Sequence, residues 1–118
     1  NSTETNFITT VAEALDIVKK VDHKSLRLCV DVYHMLKENE RPASIEKTKG
    51  YVIYCEVAEK EGRTPPGVHG DNFTPYFAAL RKINYNGKIM IECRWDDFAK
   101  QGPAAFTYLK KEIEEAYQ

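Results

Sequence analysis

The sequence predicts an α/β domain organised around a parallel β-sheet. Three short apolar runs alternate strictly with four helical segments along 118 residues, a length that suits one domain. Strict alternation favours parallel strands joined by right-handed helical crossovers. The strand runs are nearly continuous in apolar residues, as is typical of strands in a buried parallel sheet.

The first half of the chain is expected to contain a helix, a strand and a short second helix. The segment from Thr5 to Lys20 is predicted to be helical, with Thr3 or Thr5 as its cap. The run "LRLCV" at 26–30 is a predicted strand that stops at Asp31. Pro42 is expected to begin the short helix "PASIEKTK", which ends before Gly50. The first helix has one apolar stripe, formed by Val11, Ala14, Leu15 and Val18.

A second strand, a long loop and a third helix follow. The strand is Tyr51 to Val57, which is rich in β-branched and aromatic residues. The polar loop "AEKEGRTPPGVHGDNF" has three glycines and two prolines. Thr74 and Pro75 are typical of the N-cap and first position of a helix, which we expect to end near Ile83.

The last part of the chain is predicted to be a strand, a loop and a helix. "KIMIEC", from Lys88 to Cys93, is the third strand, and "RWDDFAKQG" is a loop. Pro103 is expected to begin the final helix. Its apolar positions recur at helical spacing and would form the inner face, at Ala105, Leu109, Ile113 and Ala116.

The composition argues for a globular protein without a polyanionic partner. The chain is 42% hydrophobic and 30% charged, and its net charge is −1. A near-neutral charge provides no basic face for nucleic acid, and no apolar run is long enough to cross a membrane. The odd number of cysteines, Cys29, Cys55 and Cys93, shows neither disulfide nor zinc spacing, so we expect reduced core residues in a cytoplasmic protein.

An acid stands at or near the end of each predicted strand: Asp31, Glu56 and Glu92. Because the carboxyl ends of parallel strands lie along one edge, the three acids should converge where α/β proteins bind ligands. Clustered carboxylates remain ionised together only beside a cation or base, and oxygen ligands suit Mg²⁺ and Mn²⁺. The pattern predicts a divalent metal site. The alternative is that each acid only caps the helix after its strand.

Two further residues are candidates for contacts at this edge. His34 follows Asp31 by three residues and could provide a metal ligand or orient a substrate hydroxyl. Arg63 lies in the long Gly/Pro loop, where a guanidinium could bind substrate oxygens or a phosphate. Solvent-exposed or hydrogen-bonding roles without a ligand are the alternatives for both residues.

Four segments in order resemble the sugar phosphate isomerase/epimerase family, whose fold is a xylose isomerase-like TIM barrel. "ETNFITTVAEALDIVKKVDHKSL" resembles its fifth helix, and "CVDVYHM" resembles the family's D-x-[FY]-H-M after the sixth strand. "CEVAEKEGRTPPG" is similar to its H-x-A-[DE]…G-R…P-G after the seventh strand. "GDNFTPYFAALRKINYNGKIMIEC" is similar to the last helix and an eighth strand that ends in Glu.

The resemblance implies a fold, a cofactor and residue roles. Residues 1–118 would be the C-terminal part of a (β/α)8 barrel, strands six to eight. Asp31 and Glu92 would be ligands of Mn²⁺, Mg²⁺ or Co²⁺, and Glu92 would also move a proton beside a carbonyl. His34 and Arg63 would hold oxygens of a sugar or sugar phosphate.

The chain departs from the family pattern in two places. Glu56 stands where the family has a histidine ligand, which would change the charge and metal preference of the site or mark a site without chemistry. The glutamate that ends the family's fifth strand would lie upstream of Asn1. We therefore expect the chain alone to be inactive, and a second copy to cover its exposed apolar face.

Other functions are compatible with the same fold. A polyol dehydratase of the superfamily and a non-catalytic sugar-binding or scaffold domain are the alternatives. An abasic-site endonuclease is disfavoured because those enzymes use many histidine ligands, whereas this near-neutral chain has three histidines.

Overall fold

The computed structural model describes all 118 residues and confirms the parallel α/β architecture. The three strands lie in the order β1-β2-β3, and both strand pairs are parallel. Five helices flank them, one more than the sequence predicts. The elements are α1 (Val11–Val21), β1 (Leu28–Asp31), α2 (Val32–Lys37), α3 (Ala43–Glu46), β2 (Val52–Val57), α4 (Thr74–Lys82), β3 (Ile89–Ile91) and α5 (Phe98–Tyr117).

The first helix begins at Val11, the first residue of its apolar stripe and six residues after the predicted start at Thr5. Thr10 is its N-cap, rather than Thr3 or Thr5, and the Thr10 side chain accepts a hydrogen bond from the Glu13 N–H. The Glu13 carboxylate accepts in return from the Thr10 N–H, which completes a capping box. Because the cap turns the chain, the predicted helical segment before Val11 is not helical.

The last helix begins five residues before the predicted start. Asp97 caps it by accepting from the Lys100 N–H, and the Gln101 side chain accepts from the N–H groups of Asp96 and Asp97. Pro103 therefore lies inside α5 and not at its first position. The proline removes one backbone bond, that to the Ala99 carbonyl, but the capped first turn keeps the helix in place.

The helix α4 is held at its N-terminus by a side chain from α5. Phe73 is the N-cap and Thr74 the first helical residue, so the helix begins one position earlier than predicted and Pro75 is its second residue and not its first. The buried Glu112 carboxylate accepts from the N–H groups of Phe73 and Thr74, both at 2.9 Å. A distant carboxylate thus replaces the local Thr74 cap.

One face of the sheet packs on the helices, and the other is uncovered. Val30, Cys55 and Val57 point into a core that includes the fully buried rings of Phe73 and Phe77. The opposite face is exposed, as expected for three parallel strands, and carries Cys29, Tyr54 and Met90.

Three cysteines were expected in the core, and that prediction is wrong for two of them. Cys29 alternates with the inward-facing Val30 and is exposed, and Cys93 follows the last strand and is partly buried. Only Cys55 is buried, and all three are free thiols.

Candidate metal centre at the rim of the sheet

The register of the sheet brings the three rim acids together. Asp31 is the last residue of β1 and pairs directly with Glu56 of β2. Glu92 follows β3, and its N–H donates to the Val57 carbonyl at 3.1 Å. One carboxylate oxygen from each of the three residues lies within 4.8 Å of the others. The structure thus places the predicted acids in one cluster at the carboxyl ends of the strands.

Asp31 has two roles, one on each carboxylate oxygen. Its Oδ1 accepts from the Tyr33 N–H at 2.9 Å and caps α2, a helix that the sequence reading did not predict. Its Oδ2 faces the cluster and lies 3.3 Å from Nε2 of His34. Burial raises the pKa of the Asp31 carboxyl, although His34, the Tyr33 N–H and Arg63 act in the opposite direction. The capping alternative is therefore correct for one oxygen, and the other remains available to the site.

His34 lies in α2 beside Asp31, where helical spacing of three residues puts the two side chains on one face. Its Nδ1 is 2.7 Å from the side-chain amide nitrogen of Asn1. The ring also packs edge-on against Tyr33, with the ring centroids 5.1 Å apart. Contacts on both nitrogens and on the ring fix its orientation toward the rim.

Arg63 reaches the cluster from the loop between β2 and α4, residues 58–73. Its guanidinium nitrogen Nη2 forms an ion pair with Glu92 and lies 3.7 Å from Oδ2 of Asp31. The guanidinium also lies over the Tyr33 ring, 4.6 Å from its centroid, in a cation–π contact. The structure thus brings all five predicted site residues to the same rim.

The charges of this rim fit a divalent cation. The guanidinium of Arg63 can balance one carboxylate, which leaves two negative charges among three closely spaced acids. Oxygen donors at this spacing are those that Mg²⁺ and Mn²⁺ accept. The residues present therefore match the ion class that the family resemblance implies, with Glu56 in the place of the expected histidine.

Cys29 lies beside Glu56 but is not available as a thiolate. Its Sγ donates to Glu56 Oε2 at 3.6 Å. Although the residue is exposed as a whole, partial desolvation of its thiol, followed by the charge of Glu56, raises the pKa of Cys29 to about 12. The group therefore stays protonated at neutral pH and acts as a weak hydrogen-bond donor to the cluster.

Sequence reasoning missed two residues that shape this rim. The aromatic ring of Tyr33 packs against the guanidinium of Arg63. Glu59 is a fully buried carboxylate in the loop that contains Arg63. A signal for Glu59 was present: an acid that directly follows the apolar Val57 and Ala58 and precedes a glycine-rich loop. Such a loop can turn its N–H groups toward an anion.

A parallel β/α sheet with functional side chains at the carboxyl ends of its strands is the arrangement of β/α-barrel proteins. The sequence model described as xylose isomerase-like TIM barrel matches residues 1–116. The chain therefore belongs to the xylose isomerase-like TIM barrel family, and its three parallel strands are part of that fold.

The chain is similar to sugar epimerases in sequence. It is 30% identical over 93 residues to a D-psicose 3-epimerase of Ruminiclostridium cellulolyticum, a match that covers 78% of this chain and 31% of the relative. It is 32% identical over 93 residues to an L-ribulose 3-epimerase of a Methylomonas species, covering 78% of this chain and 32% of the relative. The chain thus spans about a third of the length of these relatives.

Solved structures share the fold of the chain. A structure of L-ribulose 3-epimerase superposes with a TM-score of 0.83 at 21% identity, over 95% of this chain and 44% of that one. A Methylomonas D-allulose 3-epimerase in complex with D-allulose superposes with a TM-score of 0.80 at 25% identity, over 92% of this chain and 44% of that one.

The cap that Asp31 provides can be separated from its charge by two substitutions. Asp31→Asn keeps an oxygen that accepts from the Tyr33 N–H, whereas Asp31→Ala removes it. Because both variants lose the charge, we expect Asp31→Ala to be the less stable by about 1 kcal/mol, the usual value of an N-cap. Urea unfolding followed by circular dichroism measures the difference. Equal stability of the two variants would show that the cap contributes nothing.

Proposed function

We propose that the whole protein is a metal-dependent isomerase or epimerase of ketose sugars or their phosphates. The observation that carries the proposal is the convergence of three carboxylates, a histidine and an arginine on one rim. Membership of the xylose isomerase-like family and similarity to named ketose 3-epimerases support this reaction class.

In this proposal Asp31, Glu56 and Glu92 hold the cation, which is Mn²⁺, Mg²⁺ or Co²⁺. Such an ion, when bound, polarises a carbonyl or hydroxyl oxygen as a Lewis acid. The remaining charge of the cluster after pairing with Arg63 supports this assignment.

Glu92 is proposed as the residue that moves the proton. Epimerisation beside a carbonyl breaks a C–H bond and returns a proton to the other face of the carbon, which requires two acid/base groups. Glu92 would be one of the pair, because its side chain is half exposed at the rim, where a substrate carbon can approach it, and pairs with Arg63. His34 and Arg63 would hold substrate oxygens, since both are oriented toward the rim.

We also propose how the chain relates to the whole protein. Residues 1–118 would form strands six to eight of the barrel, so that most of the pocket wall lies in other strands. A cytoplasmic location with reduced cysteines remains part of this proposal. No helix of the chain combines the length and apolarity that a membrane span requires.

A sugar-binding domain without catalysis is the second candidate. The observation that favours it is Glu56, a carboxylate in the position of the family histidine. The three acids with their arginine could then bind sugar hydroxyls directly, with no ion.

Mn²⁺ titration of the 118-residue chain tests the metal site. We expect binding that weakens at least about tenfold in Glu56→Gln, because this change removes a charged ligand and keeps the shape. Glu114→Gln on the exposed side of α5 is the matched control and should bind as the wild type does. Electron paramagnetic resonance of free Mn²⁺ measures both. No binding by the wild type would favour the sugar-binding domain.

The chain alone should not turn over a ketose, because it provides only three of the eight strands whose ends would form the pocket. The test is a chromatographic assay of D-fructose and D-psicose after incubation of the purified chain with Mn²⁺. Turnover that Glu92→Gln abolishes would show that the site is complete within 118 residues.

We expect the chain to self-associate at high concentration. The edge of β3 is unpaired, and an apolar groove of about 660 Å³ lies between β3 and α5, lined in part by Met90, Trp95, Phe98 and Phe106. Covering this surface would remove apolar area from water. Light scattering over a concentration series measures the mass, and a monomer at the highest concentration would refute the expectation.

A further inference from the structure

The β2–α4 loop is built around one buried carboxylate that the proposed reaction does not use. Glu59 is fully buried, and its side chain accepts five hydrogen bonds from the loop. Four come from backbone N–H groups and one from a hydroxyl. The donors are the N–H groups of Gly67, His69, Gly70 and Asp71, at 2.7, 2.5, 2.9 and 3.3 Å, and Oγ1 of Thr64 at 3.1 Å.

These contacts require an anion at position 59. A buried carboxylate is costly unless its lone pairs are filled, and here five donors surround the two oxygens. Gly67 and Gly70 have φ values of +94° and +80°, a conformation that lets their N–H groups turn inward. A glutamine would direct its own NH₂ group at some of these donors, so the amide cannot replace the carboxylate.

The same carboxylate frames the turn that carries Arg63. The Glu59 N–H donates to the Thr64 carbonyl at 3.0 Å, and the Thr64 hydroxyl donates back to the Glu59 side chain. Arg63 lies between these two hydrogen-bonded residues, and its φ of +55° is unfavourable for a residue with a Cβ. Its carbonyl accepts from the Arg94 N–H at 2.8 Å, which fixes the turn to the chain just after β3. A conformation of this kind persists only where its surroundings impose it.

The turn determines where the guanidinium lies. Arg63 extends from it to Glu92 and Asp31 and over the ring of Tyr33. A positive charge in this position balances the acids, but it also repels a divalent cation that binds to the same carboxylates. Movement of the turn would therefore change both the order of the guanidinium and the cation affinity of the rim.

We propose that Glu59 is a positioning residue that holds Arg63 against the carboxylate cluster and thereby sets the affinity of the cluster for divalent cations. The placement of Arg63 is independent of the proposed function. The effect on cation affinity rests on it, since it requires that the rim binds metal.

The first test needs no metal. The ¹⁵N NMR signal of the Arg63 Nε–H, identified by its loss in Arg63→Lys, should be dispersed and rigid in the wild type. In Glu59→Gln it should move to the position of a free arginine. Thr64→Val removes one hydrogen bond to Glu59 and keeps the side-chain shape, so it should move the signal part of the way even where Glu59→Gln does not fold.

A second buried carboxylate provides the matched control. Glu112 accepts from the N–H groups of Phe73 and Thr74 at the far end of the same loop. Glu112→Gln should lower the unfolding temperature, as Glu59→Gln also should, but should leave the Arg63 signal unchanged. If the two variants displace the signal equally, Glu59 is only a stability residue and the proposal is wrong.

The second test is Mn²⁺ titration of the folded variants. Arg63→Gln removes the competing charge and should tighten Mn²⁺ binding by about three- to tenfold. Glu59→Gln or Thr64→Val should change the affinity in the same direction, and neither should add to the effect of Arg63→Gln in a double variant. Additive effects would overturn the link between Glu59 and the cluster. An Arg63 signal that behaves as expected in a chain that binds no Mn²⁺ would refute the metal site and leave the positioning role intact.

Discussion

Parallel pairing of β2 with both of its neighbours forces three mutually repelling carboxylates onto one short edge. The surrounding structure must offset that repulsion by placing positively charged or hydrogen-bonding groups beside the acids. A guanidinium enters the cluster from the long loop, and a histidine approaches from the helix that follows β1. The register of the strands is enough to bring the three acids together. The groups that balance their charge come from the segments between the strands. Chemistry at this rim is therefore as sensitive to the loops as to the sheet.

The chain uses its acids in two physically different ways. At the rim, Asp31, Glu56 and Glu92 retain oxygens that no N–H group fills, so a cation can still approach them. Glu59 and Glu112 are buried: both oxygens of Glu59 accept from the loop, and one oxygen of Glu112 accepts from the N–H groups of Phe73 and Thr74. The buried pair holds the two ends of the β2–α4 loop, and the rim acids face the space that this loop borders. The buried pair is thus committed to hydrogen bonds that hold the loop, whereas the rim acids keep oxygens that can still accept a contact.

The sequence was sufficient for the sheet and for the acids on its rim, because apolar runs and the parallel arrangement are local and topological signals. It was insufficient where a particular side-chain contact, near or distant in sequence, decides the outcome. The six-residue α2 follows β1 without a turn, and its cap is the same Asp31 that was read as the end of a strand. The Gln101 side chain stabilises the start of α5 ahead of Pro103, where a proline rule alone predicts a later start. The reach of Arg63 depends on Glu59 and Arg94, neither of which a local pattern connects to it.

The double use of Asp31 affects how this site can change over evolutionary time. Even without a ligand at this rim, the fold would favour an oxygen acceptor at position 31, because α2 begins on it. Glu56 has no such second task, since its side chain accepts only the long bond from the Cys29 thiol. Substitution of Glu56 should therefore change the stability of the fold little, while it changes the charge of the rim. Position 31 is therefore constrained by folding as well as by any ligand, whereas at position 56 the hydrogen bonds of the fold impose no such constraint.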